Sequence, residues 1–166
     1  MGREVNVGRR EALLIVSQRR PVRLSEIGAA LGAAFGEVYG YLASRRVEPD
    51  GPPFVIYHGA PTGDDPFDVE ICAPIARTTD PPAGWQVQLL PAGTFATLLH
   101  VGPYDTVAMA YDVLMARISA MGLGVAGPPR EVYVSEPGTP PELVKTIIEI
   151  PVSAVTEPIA AGSRQP

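Results

Sequence analysis

Glu131 and Tyr133 stand two apart in the run Arg130-Glu131-Val132-Tyr133. Residues i and i+2 of a strand project from the same face, so this run would set a carboxylate beside a phenol and send Arg130 and Val132 to the other side. A carboxylate taken out of water is disfavoured in its charged form unless a cation or hydrogen-bond donors stabilise it. A desolvated Glu131 would therefore select a cation by Coulomb attraction in a weakly screening site. A flat cation lying on a Tyr or Trp ring gains roughly 0.5–2 kcal/mol more, and Tyr57, Trp85, Tyr104, Tyr111 and Tyr133 are the candidate rings. Tyr39 and Tyr41, two apart on one helix, cannot both face a sheet, and Tyr41 ranks below Tyr57. The plainer reading makes Glu131 a surface or structural residue bonded to Arg130 or Tyr133, and the rings ordinary core.

Other reactive side chains form weaker patterns. His58 and His100 are the only histidines, and their spacing to acids matches no metal site, so packing at strand ends is the expectation. Cys72 is the single cysteine, which excludes an intrachain disulfide and a cysteine metal framework. With Val69, Ile71 and Ile75 around it, the thiol reads as inert strand packing. Asp68 and Glu70, with Glu149, could make acid–base pairs, but Asp68 and Glu70 share one strand face and read as its solvent side. No phosphate loop and no nucleophile elbow occurs. Neither a metal nor a cofactor is expected.

The bulk properties narrow the partners. The 166 residues suit one domain, with 46% hydrophobic and 19% charged residues. The formal net charge of −5 argues against direct DNA binding, which needs a basic surface, and a small molecule is the better partner. Arg9, Arg10, Arg19, Arg20 and Arg23 cluster near the start and read as a solvated surface. The longest early apolar run, Ala12 to Val16, is too short for an export signal, and no 18-residue apolar stretch is present. Together with the lone cysteine this points to a cytoplasmic protein without membrane association.

Hydrophobic periodicity supplies the elements that would position these side chains. A strand is predicted over 11–18, leading into the polar stretch Gln18–Arg20. Ser25 is the expected N-cap of a helix running to about Ser44, with Ile27, Leu31, Phe35, Val38 and Leu42 along its apolar face. Gly28, Gly32, Gly36 and Gly40 recur every four residues in it, each costing about 1 kcal/mol against Ala. Close packing on a sheet is the expected compensation, with room for a ligand as the alternative. Strands follow at Phe54–His58 and Phe67–Ile75, then at Trp85–Leu90 and Phe95–Val101. Gly102-Pro103-Tyr104-Asp105 signals the start of a second helix, with Val107, Tyr111, Leu114, Ile118 and Met121 as its stripe and Gly122 near its end. Glu131–Val134 and Val144–Val152 complete the strands.

The order β, α, β, β occurs twice. Gly51-Pro52-Pro53-Phe54-Val55-Ile56-Tyr57 aligns without gaps on Gly127-Pro128-Pro129-Arg130-Glu131-Val132-Tyr133 at an offset of 76, and Pro74 answers Pro151 at 77. The chain reads as an internal duplication, with pseudo-repeats at about 11–76 and 85–152 in a single domain over 1–152. Residues 153–166 read as a flexible tail. Two such α+β halves would meet about a pseudo-two-fold axis and leave a cleft at their junction. Val55 and Tyr57 would be the first-half counterparts of Glu131 and Tyr133.

His100-Val101-Gly102-Pro103-Tyr104-Asp105, Ala110-Tyr111, Glu131-Val132-Tyr133 and Thr146-Ile147-Ile148-Glu149-Ile150-Pro151-Val152, in that order, resemble the GyrI-like family over roughly 11–152. These are effector-binding domains of AraC- and MerR-type regulators, also found free-standing. The resemblance implies the duplicated βαββ fold shared with SOUL-type proteins, and a central cleft for hydrophobic or cationic aromatic molecules. It implies Glu131 as the cleft carboxylate, Tyr133 beside it, and Tyr57, Trp85, Tyr104 and Tyr111 as candidate walls. Residues 1–20 hold no helix-turn-helix, so a free-standing sensor or sequestering protein is expected. Where relatives often carry an aromatic in the last strand, this chain has Ile147-Ile148-Glu149. Some relatives resemble hydrolases that open cyclopropane rings of alkylating compounds, which would make Glu131 a general base; an interaction module or inhibitor is a further alternative.

Overall fold

The computed structural model describes residues 4–155. Nine strands, two α-helices and three short 3-10 turns follow one another along the described residues. The strands are β1 (Val5–Arg10), β2 (Leu13–Val22), β3 (Phe54–Tyr57), β4 (Phe67–Pro74), β5 (Gln86–Leu90), β6 (Gly93–Val101), β7 (Leu123–Val125), β8 (Arg130–Tyr133) and β9 (Lys145–Ala154). Helix α1 (Ile27–Ser44) links β2 to β3, and α2 (Val107–Ala120) links β6 to β7. All pairings are antiparallel, in the order β1-β6-β9-β8-β3-β4-β2-β5, with β7 on β9. Read outward from the centre, β8-β9-β6 mirrors β3-β4-β2, and a helix joins the last-named strand of each trio to the rest. This is the expected α+β arrangement, built on a curled sheet.

The central pairing is informative. Val55 lies opposite Glu131, with Phe54 opposite Val132 and Ile56 opposite Arg130. Val55 and Glu131 are also equivalent at the sequence offset of 76, so the residue on the core face of one strand meets its own counterpart. That is what a pseudo-two-fold axis passing between them would require.

Strand alternation divides the core. One face carries Val16, Val55, Val69, Ile71 and Ala73 under α1, which contributes Ala34, Val38 and Leu42. On the same face, Ala96, Leu98, Ile148 and Ile150 lie under α2, which contributes Ala110, Leu114 and Ile118. No helix of the described residues covers the opposite face; there the curl brings Ile15, Phe54, Ile56 and Cys72 together with Leu13, Leu90 and Val132. Cys72 is fully buried, and burial pushes its thiol well above its ordinary value.

Several expectations need correction. β1 and β7 were not anticipated, and β2 runs through the polar stretch to Val22 because β4 pairs with it from Ile15 to Val22. Ser25 does not cap α1: a 3-10 turn at Leu24–Glu26 precedes the helix, and the Ser25 hydroxyl donates instead to Asp64 at 2.7 Å. Among the described residues the glycine stripe packs on no other element, because a Cβ at Gly28, Gly32, Gly36 or Gly40 would meet nothing within 4 Å beyond its own helix backbone. Met121 at the end of the predicted α2 stripe is exposed. The last strand extends to Ala154 through pairing with β7, so the predicted tail begins later than 153, and its remainder from 156 lies outside the described residues. Gly122, at φ 69°, ends α2 in a left-handed conformation as expected.

Candidate functional site

Glu131 reaches the helix face of β8 at the seam between the two core clusters, and only 7% of it is exposed. Three phenols aim at its carboxylate. Tyr111, from the second turn of α2, donates to Oε1 at 3.0 Å. Tyr57, from β3, donates to Oε2 at 3.0 Å, and Tyr133 does so at 3.3 Å. The Tyr57 and Tyr133 oxygens are themselves 3.1 Å apart. Each position follows from local geometry: Tyr133 is two residues beyond Glu131, Tyr57 two beyond Val55, and Tyr111 lies on the sheet-facing side of α2.

Aromatic contacts widen the group. The Tyr104 ring meets Tyr133 edge-on at 5.9 Å between centroids, and Phe35 of α1 meets it at 6.2 Å. Tyr57 stacks on Phe67 at 6.4 Å. Tyr104 is half exposed and stands at the mouth of the group. It sits in the 3-10 turn Tyr104–Thr106, which is tied down by Gly102, whose amide donates to Val144 O at 2.9 Å with φ 140°. Thr106 Oγ1 and His100 Nε2, 3.1 Å apart, brace the turn from beneath.

No basic side chain forms an ion pair with Glu131 among the described residues. Burial and the Glu131 charge push the hydroxyls of Tyr57 and Tyr111 well above their ordinary range, and burial does the same for Tyr133. The three phenols therefore remain protonated donors. Arg130, the partner suggested by the plainer reading of Glu131, projects to the opposite face, where its guanidinium lies 4.4 Å from the Phe95 ring centroid and 5.6 Å from that of Phe54.

Of the rings singled out in the sequence, Tyr57, Tyr104, Tyr111 and Tyr133 are thus brought around Glu131. Trp85 is not. It is buried with the α1 cluster, and its indole N–H donates 3.1 Å to Glu37 Oε1. Phe35 joins the site through Tyr133 although it read only as part of a helix stripe, and nothing in its spacing distinguishes it from Leu31.

Of the two acids read as solvent-facing, Asp68 and Glu70, only the second is otherwise placed. Asp68 is half exposed and pairs with Arg19 at 3.1 Å, but Glu70 is 6% and Glu149 is 7% exposed. Glu149 accepts from Arg10 at 2.9 Å, while Glu70 accepts from Ser17 and His58. The curl of the sheet, which alternation does not encode, covers that face. No group of three or more potential metal ligands occurs among the described residues. No helix among them is long and apolar enough to cross a membrane.

Comparison with known proteins places this geometry. The family model of the GyrI-like small-molecule-binding domain matches residues 3–153. The chain belongs to that family. The EcmrR C-terminal domain superposes with a TM-score of 0.82 at 24% identity, covering 93% of this chain and all of that one. In the EcmrR–DNA complex the corresponding figures are 0.81 and 23%, with 92% of this chain and 58% of the EcmrR chain covered. This chain thus spans little more than half of that EcmrR chain. A hydrolase from Listeria innocua, encoded by lin2189, is similar at a TM-score of 0.68 and 14% identity, over 91% of this chain and 92% of that one. SAV2435 bound to tetraphenylphosphonium is similar at 0.59 and 15%, over 90% and 94%. Among curated proteins none matches.

Proposed function

We propose that the chain binds hydrophobic aromatic cations between its two halves, with Glu131 as the charge-selecting group, as a sensor or sequestering protein. The observation that carries this reading is the buried carboxylate with no basic partner among the described residues, walled by Tyr57, Tyr104, Tyr111 and Tyr133. Three phenol bonds keep an anion in an apolar seam, at the cost of desolvation that a cation would offset. The rings offer faces and edges to a flat ligand. Tyr104, exposed and on a short turn, is the wall a ligand meets first. Tetraphenylphosphonium, the ligand named for SAV2435, is a suitable probe.

Glu131→Gln keeps size and hydrogen bonding but removes the charge. It should weaken tetraphenylphosphonium by about 10- to 150-fold, the equivalent of roughly 1.5–3 kcal/mol for a charge-assisted contact. Neutral triphenylphosphine oxide should change only a few fold. Calorimetric titration of both ligands against both proteins decides the matter, because equal losses would mean that Glu131 supports the cleft rather than reading charge.

The hydrolase reading asks Glu131 to take a proton from water. Each carboxylate oxygen already accepts from at least one phenol, which leaves less of its lone-pair capacity to a water, so binding is the reading the geometry favours.

A further inference from the structure

The face of the sheet away from the helices holds a second buried carboxylate that the Glu131 site does not use. Glu70 Oε1 accepts from the Ser17 hydroxyl at 2.8 Å and from the Gln88 amide, and Oε2 pairs with His58 Nε2 at 2.8 Å. Gln88 also donates to the Ser17 oxygen at 2.8 Å. Strand register assembles this group from four segments. Glu70 lies opposite Ile56, Ser17 opposite Cys72 and Gln88 opposite Ile15, all on that face, and His58 follows Ile56 by two residues.

An ionised carboxylate only accepts, so His58 Nε2 carries the proton of the bond to Glu70. That leaves Nδ1 as the ring's remaining polar atom, and no hydrogen bond to it occurs among the described residues. The side chain is 20% exposed. It borders an open pocket of about 440 Å³ in which Tyr57 and His58 face the segment Gly127-Pro128-Pro129. Among the described residues no Asp, Glu, Lys or Arg lines this pocket. The combination is specific: one nitrogen, oriented by a buried acid, beside a shallow wall of proline rings.

We propose that this pocket is a second ligand site, which takes a flat aromatic molecule bearing a weakly acidic hydroxyl, with the hydroxyl on His58 Nδ1 and the ring against Pro128 and Pro129. A carboxylate behind an imidazole fixes its tautomer, as it does for imidazoles that bind metals. With neutral His58, the hydroxyl donates to Nδ1. With the ring protonated, the same bond joins an imidazolium N–H to a phenolate. In both states one proton lies between oxygen and nitrogen, so the site favours a phenol over the matching ether. It is separate from the Glu131 site, which lies on the helix face, although the strand end at Tyr57 borders both.

The test uses the intact chain, with 4-nitrophenol as probe and 4-nitroanisole as its counterpart lacking the O–H. The chain contains only two histidines, so long-range 1H–15N spectra resolve His58 and His100, with His58→Gln giving the assignment. Adding 4-nitrophenol should move the His58 Nδ1 signal and leave His100 in place, and 4-nitroanisole should bind about 10-fold more weakly or worse. His58→Gln should cost nitrophenol affinity by a similar factor. Ala60 also lines the pocket and makes no hydrogen bond to Glu70, so Ala60→Leu, which narrows the pocket, should do so too and guards against a general effect of disturbing the buried group. Glu131→Gln should leave nitrophenol binding within about twofold. Equal affinity for the two probes, no binding in the millimolar range, or a shift confined to His100 would each overturn the site. Loss in Glu131→Gln with retention in His58→Gln would place the ligand in the other cleft, while leaving the cation test of that cleft unaffected.

Discussion

The two oxygens of Glu131 are not equally provided for. Among the described residues Oε2 accepts from Tyr57 and Tyr133, whereas Oε1 accepts from Tyr111 alone. Leaving a buried acceptor without its donor costs about 1–3 kcal/mol, more when it is charged. Tyr111→Phe should therefore destabilise the unliganded protein by at least that much, while Tyr57→Phe, which leaves Tyr133 on Oε2, should cost less through this contact. Urea unfolding of the two variants tests the asymmetry. Tetraphenylphosphonium should restore more of the lost stability in Tyr111→Phe, because the carboxylate freed of its phenol has most to gain from a cation. Equal losses in both variants would mean that packing of the rings, rather than the bonds to the carboxylate, sets their contribution.

Helix α1 shows how far element-level reasoning reaches. Its apolar side was legible from period alone, and Val38 and Leu42 are buried as the spacing required, with Ile27, Leu31 and Phe35 packed against the same cluster. The meaning of its glycines was not, because spacing says that four residues share a face but not whether anything covers it. Here the face is open. Gly32→Ala and Gly36→Ala should then each stabilise the chain by about 0.5–1 kcal/mol in urea titrations, since Ala costs less backbone entropy in a helix and has room. A loss instead would show that this face is covered in solution. The strands divide in the same way. Runs rich in Val, Ile and Phe announced themselves, and the i, i+2 rule placed Glu131, Tyr133, Val55 and Tyr57 on one face. The edge strand β1, Val5-Asn6-Val7-Gly8-Arg9-Arg10, carries little apolar signal and is a strand because β6 pairs with it along its whole length. Glu70 read as solvent-facing for a related reason, since curvature belongs to the whole sheet and no short window of sequence contains it.

At the scale of the molecule, the tyrosines tie the joining of the two halves to pH. Tyr57 and Tyr133 come from strands of different halves, Tyr111 comes from α2, and all converge on one carboxylate. Burial raises all three, the Glu131 charge opposes their ionisation, and Tyr39 on α1 is pushed up by burial to about 12. In the unfolded chain these hydroxyls ionise near their ordinary value of 10.0. A group whose folded value is raised contributes stability that is fully present below the unfolded value and is lost as the pH climbs towards the folded one. Above pH 10 the unfolded chain holds fewer protons than the native chain, so the free energy of unfolding must fall with rising pH. Tyrosine ionisation should accordingly leave stability unchanged between about pH 7 and 9, and produce a steepening loss above about pH 10. Phenolate absorbance from the buried rings should appear together with the loss of helical signal rather than before it. Tyr57→Phe combined with Tyr111→Phe removes two of the withheld protons, so the alkaline slope should become shallower even though the variant starts from lower stability. A variant with an unchanged slope would show that the alkaline transition is governed elsewhere, and would separate the proton linkage of these rings from their part in holding the seam together.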